Sequence, residues 1–514
     1  MSSNISDTLS SSFYVPDSLK FYVNRLSFSK NRVRLQALSS QIAGPNGQII
    51  VRLPSNTMLN LASLTMTGNI RASISGAQAD EGIALPTNLD YSIIDSVSVI
   101  SNGGIISQPF LNYKLLGTTL NDIYGGDEKI SNRSALQNSL PSPLIDYAAA
   151  VAGTSAAAMY IPFSINSWIS PLQTMTPSYI NTNLLGDLEL RITLSDTTIL
   201  QSGSCTNGGN VAGLQARCSF DIKDINFYIE TASVQSNILD QAIATKLNSG
   251  EPINIPFSNI FSFQQTNSGA SFNQRFSVSS QSINKIIATT QLSEDVENSV
   301  TGKKFVNGVP QALRRNYNLA SQCQFSINNQ YSPNYQINSE LVSAYDFSAG
   351  TNTTLRNYQQ SNALVETIAA MNIPDYDYES THHKLCSTTQ MPFEMGLTTP
   401  ILSGTIPAGL TLTQAQARSA LVAKNGTDAW WFPYTYKSGI DTFLDEKYVV
   451  ATSFDLHCSE NSRLISGINT LGSNSQLFYN VIGSGAGVAC VSTVFVLCTS
   501  MIQVFAGAQL KIIQ

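Results

Sequence analysis

Residues 221–263 have the sequence DIKDINFYIETASVQSNILDQAIATKLNSGEPINIPFSNIFSF. Ile225, Phe227 and Ile229 alternate with polar residues, which is the period-2 pattern of a half-buried strand. A helical stripe of apolar residues follows. It ends at Gly250, because glycine accepts the left-handed conformation that closes many helices. Alternating apolar residues then return, so the stretch predicts a strand, a helix and a second strand.

Nearly everything on either side of this helix reads as strand and turn, so we expect the helix to join two β domains. A chain of 514 residues is longer than one hydrophobic core usually serves. Each half has roughly eight short strands, one helix after about the fourth strand and one long loop. Eight antiparallel strands in two facing sheets form a jelly roll. The sequence therefore predicts an all-β fold with a few short helices, built as two tandem eight-stranded jelly rolls.

The predicted domains are an N-terminal arm (1–45), a first jelly roll (46–232), a connecting helix (233–250) and a second jelly roll (251–514) with a long helical insertion at about 348–445. The arm is expected to be irregular up to the turn at Gly44–Gly47. Within the first jelly roll we expect short strands near Leu59 and Leu64, a helix opened by Pro109, and a loop over 126–156. In the insertion we expect helices near Ser361 and from Thr413 to Asn425.

Charged residues make up only 12% of the chain, about half the usual share, while hydrophobic residues make up an ordinary 42%. Charge keeps free monomers apart in solution. A large chain with so little charge is typical of a protein whose surface is covered by copies of itself.

The net charge of −6 excludes a general nucleic-acid binder. The charges are uneven, because no acidic residue lies between Asp17 and Asp80. The basic residues of that interval are Lys20, Arg25, Lys30, Arg32, Arg34, Arg52 and Arg71. They fit either a solvated N-terminal segment or a face turned towards a polyanion such as packaged nucleic acid or a membrane surface.

The seven cysteines contain no C-x-x-C pair; they are Cys205, Cys218, Cys323, Cys386, Cys458, Cys490 and Cys498. An odd, scattered set predicts free, mostly buried thiols made in a reducing compartment. The first residues lack the basic and apolar regions of a secretory signal. The uncharged stretch from Leu464 to Leu510 is interrupted by glycines, so it favours buried strands over a membrane-spanning helix.

No catalytic signature is present, and we expect no enzyme, no cofactor and no metal site. The histidines are His382, His383 and His457. The stretch from Asp375 to Cys386 offers carboxylates, imidazoles and a thiol, but adjacent residues on an extended chain point to opposite faces. An exposed polar loop is therefore favoured over a metal site. His457 and Cys458 cannot pair as a nucleophile and base for the same reason.

An aromatic run at Trp430, Trp431 and Phe432 has two interpretations. It is either a sugar-stacking or partner-docking platform, or packing in a core or subunit interface, which is the favoured interpretation.

Several stretches resemble the major capsid proteins of small eukaryotic double-stranded DNA viruses, namely polinton-like viruses, virophages and adintoviruses, which are distant relatives of the adenovirus hexon. The resemblance rests on the order and spacing of four places in the chain. They are Ser92–Gly104 with the helix at Tyr113, Leu184–Leu194, the connecting helix and Gly250 with Ile255–Phe257 and Ser279–Ile286, and Ile327–Pro333 with Leu464–Thr470. The resemblance covers about residues 90–480.

The resemblance implies two jelly rolls standing side by side with their strands normal to a shell. Three copies would form a pseudo-hexagonal capsomer, and capsomers would tile an icosahedral virion with another protein at the five-fold vertices. It implies minor capsid proteins as further partners, assembly inside the host cell without secretion, and no small-molecule substrate. The loops 126–156 and 348–445 would form outward towers or clasp neighbours, and the segment from Lys20 to Arg34 would lie at the inner face, near the genome.

Two other classes are weighed against a capsid protein. A double β-sandwich that binds glycans or acts as an adhesin would use the aromatic run at Trp430. A cupin-like enzyme would need clustered inward-facing metal ligands, for which three histidines, two of them adjacent, are a poor source.

Overall fold

A computed structural model describes residues 28–39, 42–78, 81–86, 88–102, 104–107, 111–124, 145–146, 160–169, 172–204, 211–234, 237–269, 271–296, 313–315, 320–328, 336–340, 367–371, 391–392, 431–432, 447–455, 467–471, 476–483, 489–507 and 509–513.

The described strands before the connecting helix are β1 (Phe28–Gln36), β2 (Gln48–Arg52), β3 (Met58–Ile74), β4 (Glu81–Ala84), β5 (Ile94–Ser101), β6 (Gly104–Ser107), β7 (Ile145–Asp146), β8 (Ile161–Ile165), β9 (Tyr179–Asn181), β10 (Leu188–Leu194), β11 (Gln201–Ser204) and β12 (Cys218–Val234). Those after it are β13 (Ile253–Asn267), β14 (Phe272–Phe276), β15 (Ile283–Leu292), β16 (Ala320–Asn328), β17 (Gln336–Glu340), β18 (Met391–Pro392), β19 (Trp431–Phe432), β20 (Val450–Ser453), β21 (Gln476–Gly483), β22 (Cys490–Phe505) and β23 (Gln509–Ile513). The described α-helices are α1 (Leu89–Ser92), α2 (Tyr113–Tyr124), α3 (Thr182–Leu185), α4 (Leu214–Arg217), α5 (Asn237–Asn248) and α6 (Ser293–Val296). Residues 367–370 are also α-helical.

Both halves of the chain build a sandwich with the same strand order. In the first sandwich one sheet runs β1-β12-β3-β8 and the other β2-β10-β5-β6; in the second they run β13-β22-β15-β20 and β14-β21-β16-β17. Each half contributes eight strands to these two sheets. When those eight are numbered in chain order, one sheet runs 1-8-3-6 and the other 2-7-4-5, and this holds for both sandwiches. All of the pairs are antiparallel. The second half therefore repeats the topology of the first, although the two sequences show no strict repeat.

Side-chain alternation explains why these segments form strands. In β10, Leu188, Leu190, Ile192 and Leu194 are buried while the residues between them are partly or fully exposed. A pleated strand places successive side chains on opposite faces, so one face enters the core between the two sheets. β22 differs, because residues 490–496 are buried on both faces. This accounts for the uncharged sequence near the C-terminus, which was predicted to form strands.

The connecting helix agrees closely with its prediction. α5 spans Asn237–Asn248, and Gly250 follows it with φ 83°, a left-handed conformation. The Gly250 N–H donates a 3.1 Å hydrogen bond to the Leu247 carbonyl oxygen, which closes the last turn.

The prediction of an irregular arm over residues 1–45 is wrong for Phe28–Gln36, which forms β1 and pairs along its whole length with β12. Only Leu35 of this strand is seen packed against the core, while Lys30, Arg32 and Arg34 are exposed. An edge strand with so little apolar sequence gives a weak alternation signal.

Two further predictions differ in detail. The short strands predicted near Leu59 and Leu64 are one 17-residue strand, β3. A register shift interrupts its alternation, because the four residues 61–64 of β3 lie opposite the single residue Ile229 of β12. The helix predicted to open at Pro109 begins at Tyr113, since Asn112 has φ 63° and cannot belong to a right-handed helix.

The two ends of the sandwiches are distinct. β3 begins opposite the end of β12, with Met58 beside Ala232, and finishes opposite its start, with Ile74 beside Cys218. The connection after β3 therefore lies at the end opposite α5. We call this the loop end and the other the helix end. α1, in the connection from β3 to β5, packs against α2, in the connection from β6 to β8, so both connections share the loop end.

Candidate assembly surfaces

The two sandwiches meet along β13, the first strand of the second sandwich. Backbone and hydroxyl groups cross this seam in hydrogen bonds from Thr176 N to Pro256 O (3.1 Å), from Ser258 N to Thr174 Oγ1 (2.9 Å) and from Leu111 N to Ser262 Oγ (2.9 Å). These contacts involve neutral groups. They run from the helix end towards the loop end along one edge of the second sandwich.

At the loop end a buried ion pair joins the two sandwiches. Arg315 Nη2 donates to Asp122 Oδ2 on α2, and the exposed fractions of the two side chains are 0% and 6%. Burial lowers the pKa of the Arg315 guanidinium, and the neighbouring Asp122 carboxylate opposes that shift. On the same helix, the Tyr124 hydroxyl donates a 3.0 Å hydrogen bond to the carbonyl oxygen of Met371, in the second half of the chain.

The outer face of the β1-β12-β3-β8 sheet carries cations that lie over tyrosine rings. The Lys30 Nζ is 5.4 Å from the Tyr179 ring centre and the Arg32 Cζ is 5.3 Å from that of Tyr228. Two further cations lie over the Tyr160 ring: Arg71 (4.6 Å) and Lys223 (3.6 Å). We call this set of four cations and three tyrosines the cation–tyrosine face.

The carboxylates on this face are engaged by neighbouring groups. Glu230 accepts a 2.9 Å hydrogen bond from the Tyr179 hydroxyl, which holds the pKa of Glu230 below its usual range, with help from Asn60 and the nearby cations. Asp221 contacts Arg71 Nη2 at 3.1 Å and accepts from the Tyr160 hydroxyl. Arg32 and Lys223 form no ion pair within the described part of the chain. The face therefore keeps cations that a negatively charged partner could bind.

At the helix end an apolar cleft lies between α5 and the first sandwich. Its lining residues are Met58, Pro177, Tyr179, Ile180, Asn181, Leu184, Ile243, Ile253, Asn254 and Ile255. The side chains of this lining are apolar or neutral, and its polar members are Tyr179, Asn181 and Asn254.

The residues considered for chemistry lie mostly outside the described part of the chain. These are Asp375–Cys386 with His382 and His383, the pair His457 and Cys458, and Trp430. Residues 431–432 form β19, which pairs with β18. Among the described residues there is no group of three or more His, Cys, Asp or Glu side chains that could hold a metal ion.

Among the cysteines in the described segments, Cys218, Cys490 and Cys498 are buried and form no disulfide bond. Burial raises the pKa of the Cys498 thiol to about 12. No helix in the described segments is long and apolar enough to cross a membrane.

Sequence reasoning missed the Asp122–Arg315 pair. The apolar stripe of α2 was recognised, but the burial of its polar residues Asn121 and Asp122 was not. The partners are 193 residues apart, and no local pattern in a single sequence links positions at that separation.

No family model and no curated protein sequence matches the chain. Solved structures do match it. The chain is similar to VP54 of PBCV-1, a crystal structure fitted into a cryo-EM reconstruction of the virophage Sputnik, with 9% sequence identity, 95% of this chain and 97% of that chain covered, and a TM-score of 0.50.

It is also similar to a chain of the 3.5 Å cryo-EM structure of the Sputnik virophage (12% identity, 95% and 88% covered, TM-score 0.50) and to one of the quasi-atomic PBCV-1 capsid (9% identity, 94% and 97% covered, TM-score 0.50). At such identities the likeness concerns the fold. It extends over both sandwiches. The all-β prediction is confirmed: the chain has a double jelly-roll fold.

Proposed function

We propose that the chain is the structural major capsid protein of a double-stranded DNA virus. The observation that carries this proposal is the pair of sandwiches with identical strand order, in a fold that matches a PBCV-1 capsid chain over 94% of this chain. Three copies of a chain with two similar sandwiches present six similar corners, so a homotrimer would form a pseudo-hexagonal capsomer. Such capsomers would tile an icosahedral shell beside vertex and minor capsid proteins, in a virion assembled inside the host cell.

In this proposal the two jelly rolls occupy residues 46–232 and 251–514, with β1 added to the first. The connections from β6 to β8 and from β17 to β20 join equivalent strands in the two sandwiches. They contain the predicted loops 126–156 and 348–445. We place them at the outer surface, since loops at the end of a rigid sandwich vary without disturbing its core.

We place the helix end at the inner face of the shell. The Phe28 end of β1 pairs with Val234, three residues before α5 begins, so the chain enters the first sandwich at the helix end. The basic segment from Lys20 to Arg34 would then lie towards the genome or an inner layer. Its contact with nucleic acid would be electrostatic and independent of sequence.

The mass of the native protein tests the proposal. Sedimentation equilibrium of the purified full-length chain should give a species of three times 55.5 kDa. A stable 55.5 kDa monomer at all accessible concentrations would overturn the trimer.

A further inference from the structure

The Asp122–Arg315 pair differs from every other described contact between the sandwiches, because both charges are buried. Taking an arginine and a carboxylate out of water is costly, and their attraction recovers that cost only when the geometry is good. Two apolar side chains of similar volume often stabilise such a place equally well or better. The stability of the fold alone therefore does not explain a buried ion pair here.

An ion pair at this place constrains the relative orientation of the two surfaces that carry its partners. A guanidinium is planar and donates along fixed directions, so it satisfies a carboxylate in few orientations. Apolar side chains would tolerate sliding of one surface over the other. Both partners of the pair are also held on rigid supports.

Asp122 lies on α2, which packs against α1 and buries Tyr113, Leu115 and Leu116 in the first sandwich. On the other side, the Arg315 carbonyl oxygen accepts a hydrogen bond from Tyr448 N (3.3 Å). Tyr448 is fully buried and leads directly into β20. The pair thus links the core of one sandwich to the core of the other.

We propose that the Asp122–Arg315 pair fixes the angle between the two jelly rolls, as a latch at the loop end. The neutral contacts along β13 hold the sandwiches side by side, and the latch stops rotation about that seam. This rests on the proposed capsid function in one respect: a six-cornered capsomer needs a constant angle between the jelly rolls of each subunit.

The test separates orientation from stability by replacing both charges at once with Asp122→Leu and Arg315→Met. Spin labels on unnatural ketone-bearing residues at Arg52 and Gln509, one exposed site in each sandwich, report the distance between them by pulsed electron resonance. Labelled chains are mixed with an excess of unlabelled chains before assembly, so that distances between subunits do not contribute. The native protein should then give one narrow distance distribution. The double variant should remain folded but give a broader or displaced distribution and form less trimer. An unchanged narrow distribution in the folded double variant would overturn the latch.

A matched control is the pair of Glu81 and Arg217, in which a buried carboxylate meets an arginine within the first sandwich. Glu81→Met with Arg217→Met should leave the distance distribution unchanged. If the Asp122/Arg315 double variant does not fold, Asp122→Asn keeps the side-chain shape and removes the charge; it should broaden the distribution, and an unchanged one would contradict the latch. Because the distance is measured within one chain, a native monomer with a narrow distribution would refute the capsomer and leave the latch standing.

Discussion

The indole Nε1 of Trp168 donates a 2.7 Å hydrogen bond to the carbonyl oxygen of Leu64, and the Trp168 side chain is 2% exposed. The bond ties the connection after β8 to the centre of β3, at a place where the register of β3 against β12 shifts. The bond therefore fixes the backbone of β3 at the position of its bulge.

Trp168→Phe keeps most of the apolar surface and removes the donor. The buried Leu64 carbonyl loses its indole partner, so we expect the free energy of unfolding to fall by about 1–3 kcal/mol. Chemical denaturation of both proteins measures the difference. Ile105→Ala, at a side chain that is 51% exposed, is the control and should change stability by less than about 0.5 kcal/mol. Equal stability of Trp168→Phe and the native protein would contradict the role of this bond.

Gly117 lies against the ring of Tyr91, where α2 packs on α1. A Cβ at Gly117 would be 2.6 Å from Tyr91 Cδ1 and 2.7 Å from Tyr91 Cβ, closer than side chains approach. Helix propensity alone favours alanine over glycine by about 1 kcal/mol. We expect the clash to outweigh this gain, so that Gly117→Ala lowers the melting temperature and Gly117→Val lowers it further. A rise in melting temperature for Gly117→Ala would show that propensity dominates.

Glu81 makes the first sandwich sensitive to acid. The hydrogen bond from Arg217 holds the pKa of Glu81 below its usual range, although burial acts in the opposite direction. A carboxyl group with a lowered folded-state pKa stabilises the fold above its unfolded pKa, and this contribution is lost as the pH falls through the folded pKa. We expect Glu81→Gln to be less stable at neutral pH and to lose less stability between neutral pH and the pH range below 4.5.

Thermal melts across that pH range measure the effect. Glu189→Gln, in a more exposed pair with Arg191, is the control and should change stability little. Parallel pH profiles for Glu81→Gln and the native protein would refute the assignment.

The buried thiols should be inert in the native protein. Alkylation requires the thiolate, and the Cys498 pKa of about 12 keeps that thiol protonated at mildly alkaline pH. After treatment with iodoacetamide, peptide mass mapping should find Cys218, Cys490 and Cys498 unmodified in the native protein and modified after unfolding. Rapid modification of Cys498 in the native state would contradict the burial of this strand.

The basic residues near the start of the chain should contribute to polyanion binding. Lys20→Gln, Arg25→Gln and Lys30→Gln, combined in one variant, should weaken binding to single-stranded DNA and flatten the salt dependence of the affinity. Fluorescence anisotropy over a range of salt concentrations measures both. Arg52→Gln, Arg191→Gln and Arg275→Gln, combined in one variant, remove the same number of cations from exposed positions outside this segment and are the matched control. If both variants show the same affinity and the same salt slope, the segment does not contribute to polyanion binding and is a solvated segment.

How far the sequence predicts this fold depends on how locally each element is encoded. β10 and α5 were predicted well, because regular alternation, a helical stripe and Gly250 are all contained within a few residues. β1 was missed since an edge strand buries little, and β3 was divided in two because its bulge breaks the alternation. The Asp122–Arg315 pair had no local signal. The agreement of two sandwiches in strand order becomes visible only when the pairings are known.

Electron microscopy of the purified native protein tests the central proposal most directly. Class averages of negatively stained particles should show a six-cornered outline with three-fold symmetry, in which each subunit supplies two adjacent corners. Particles that show only a single pair of lobes, with the mass of one 55.5 kDa chain, would contradict the capsomer.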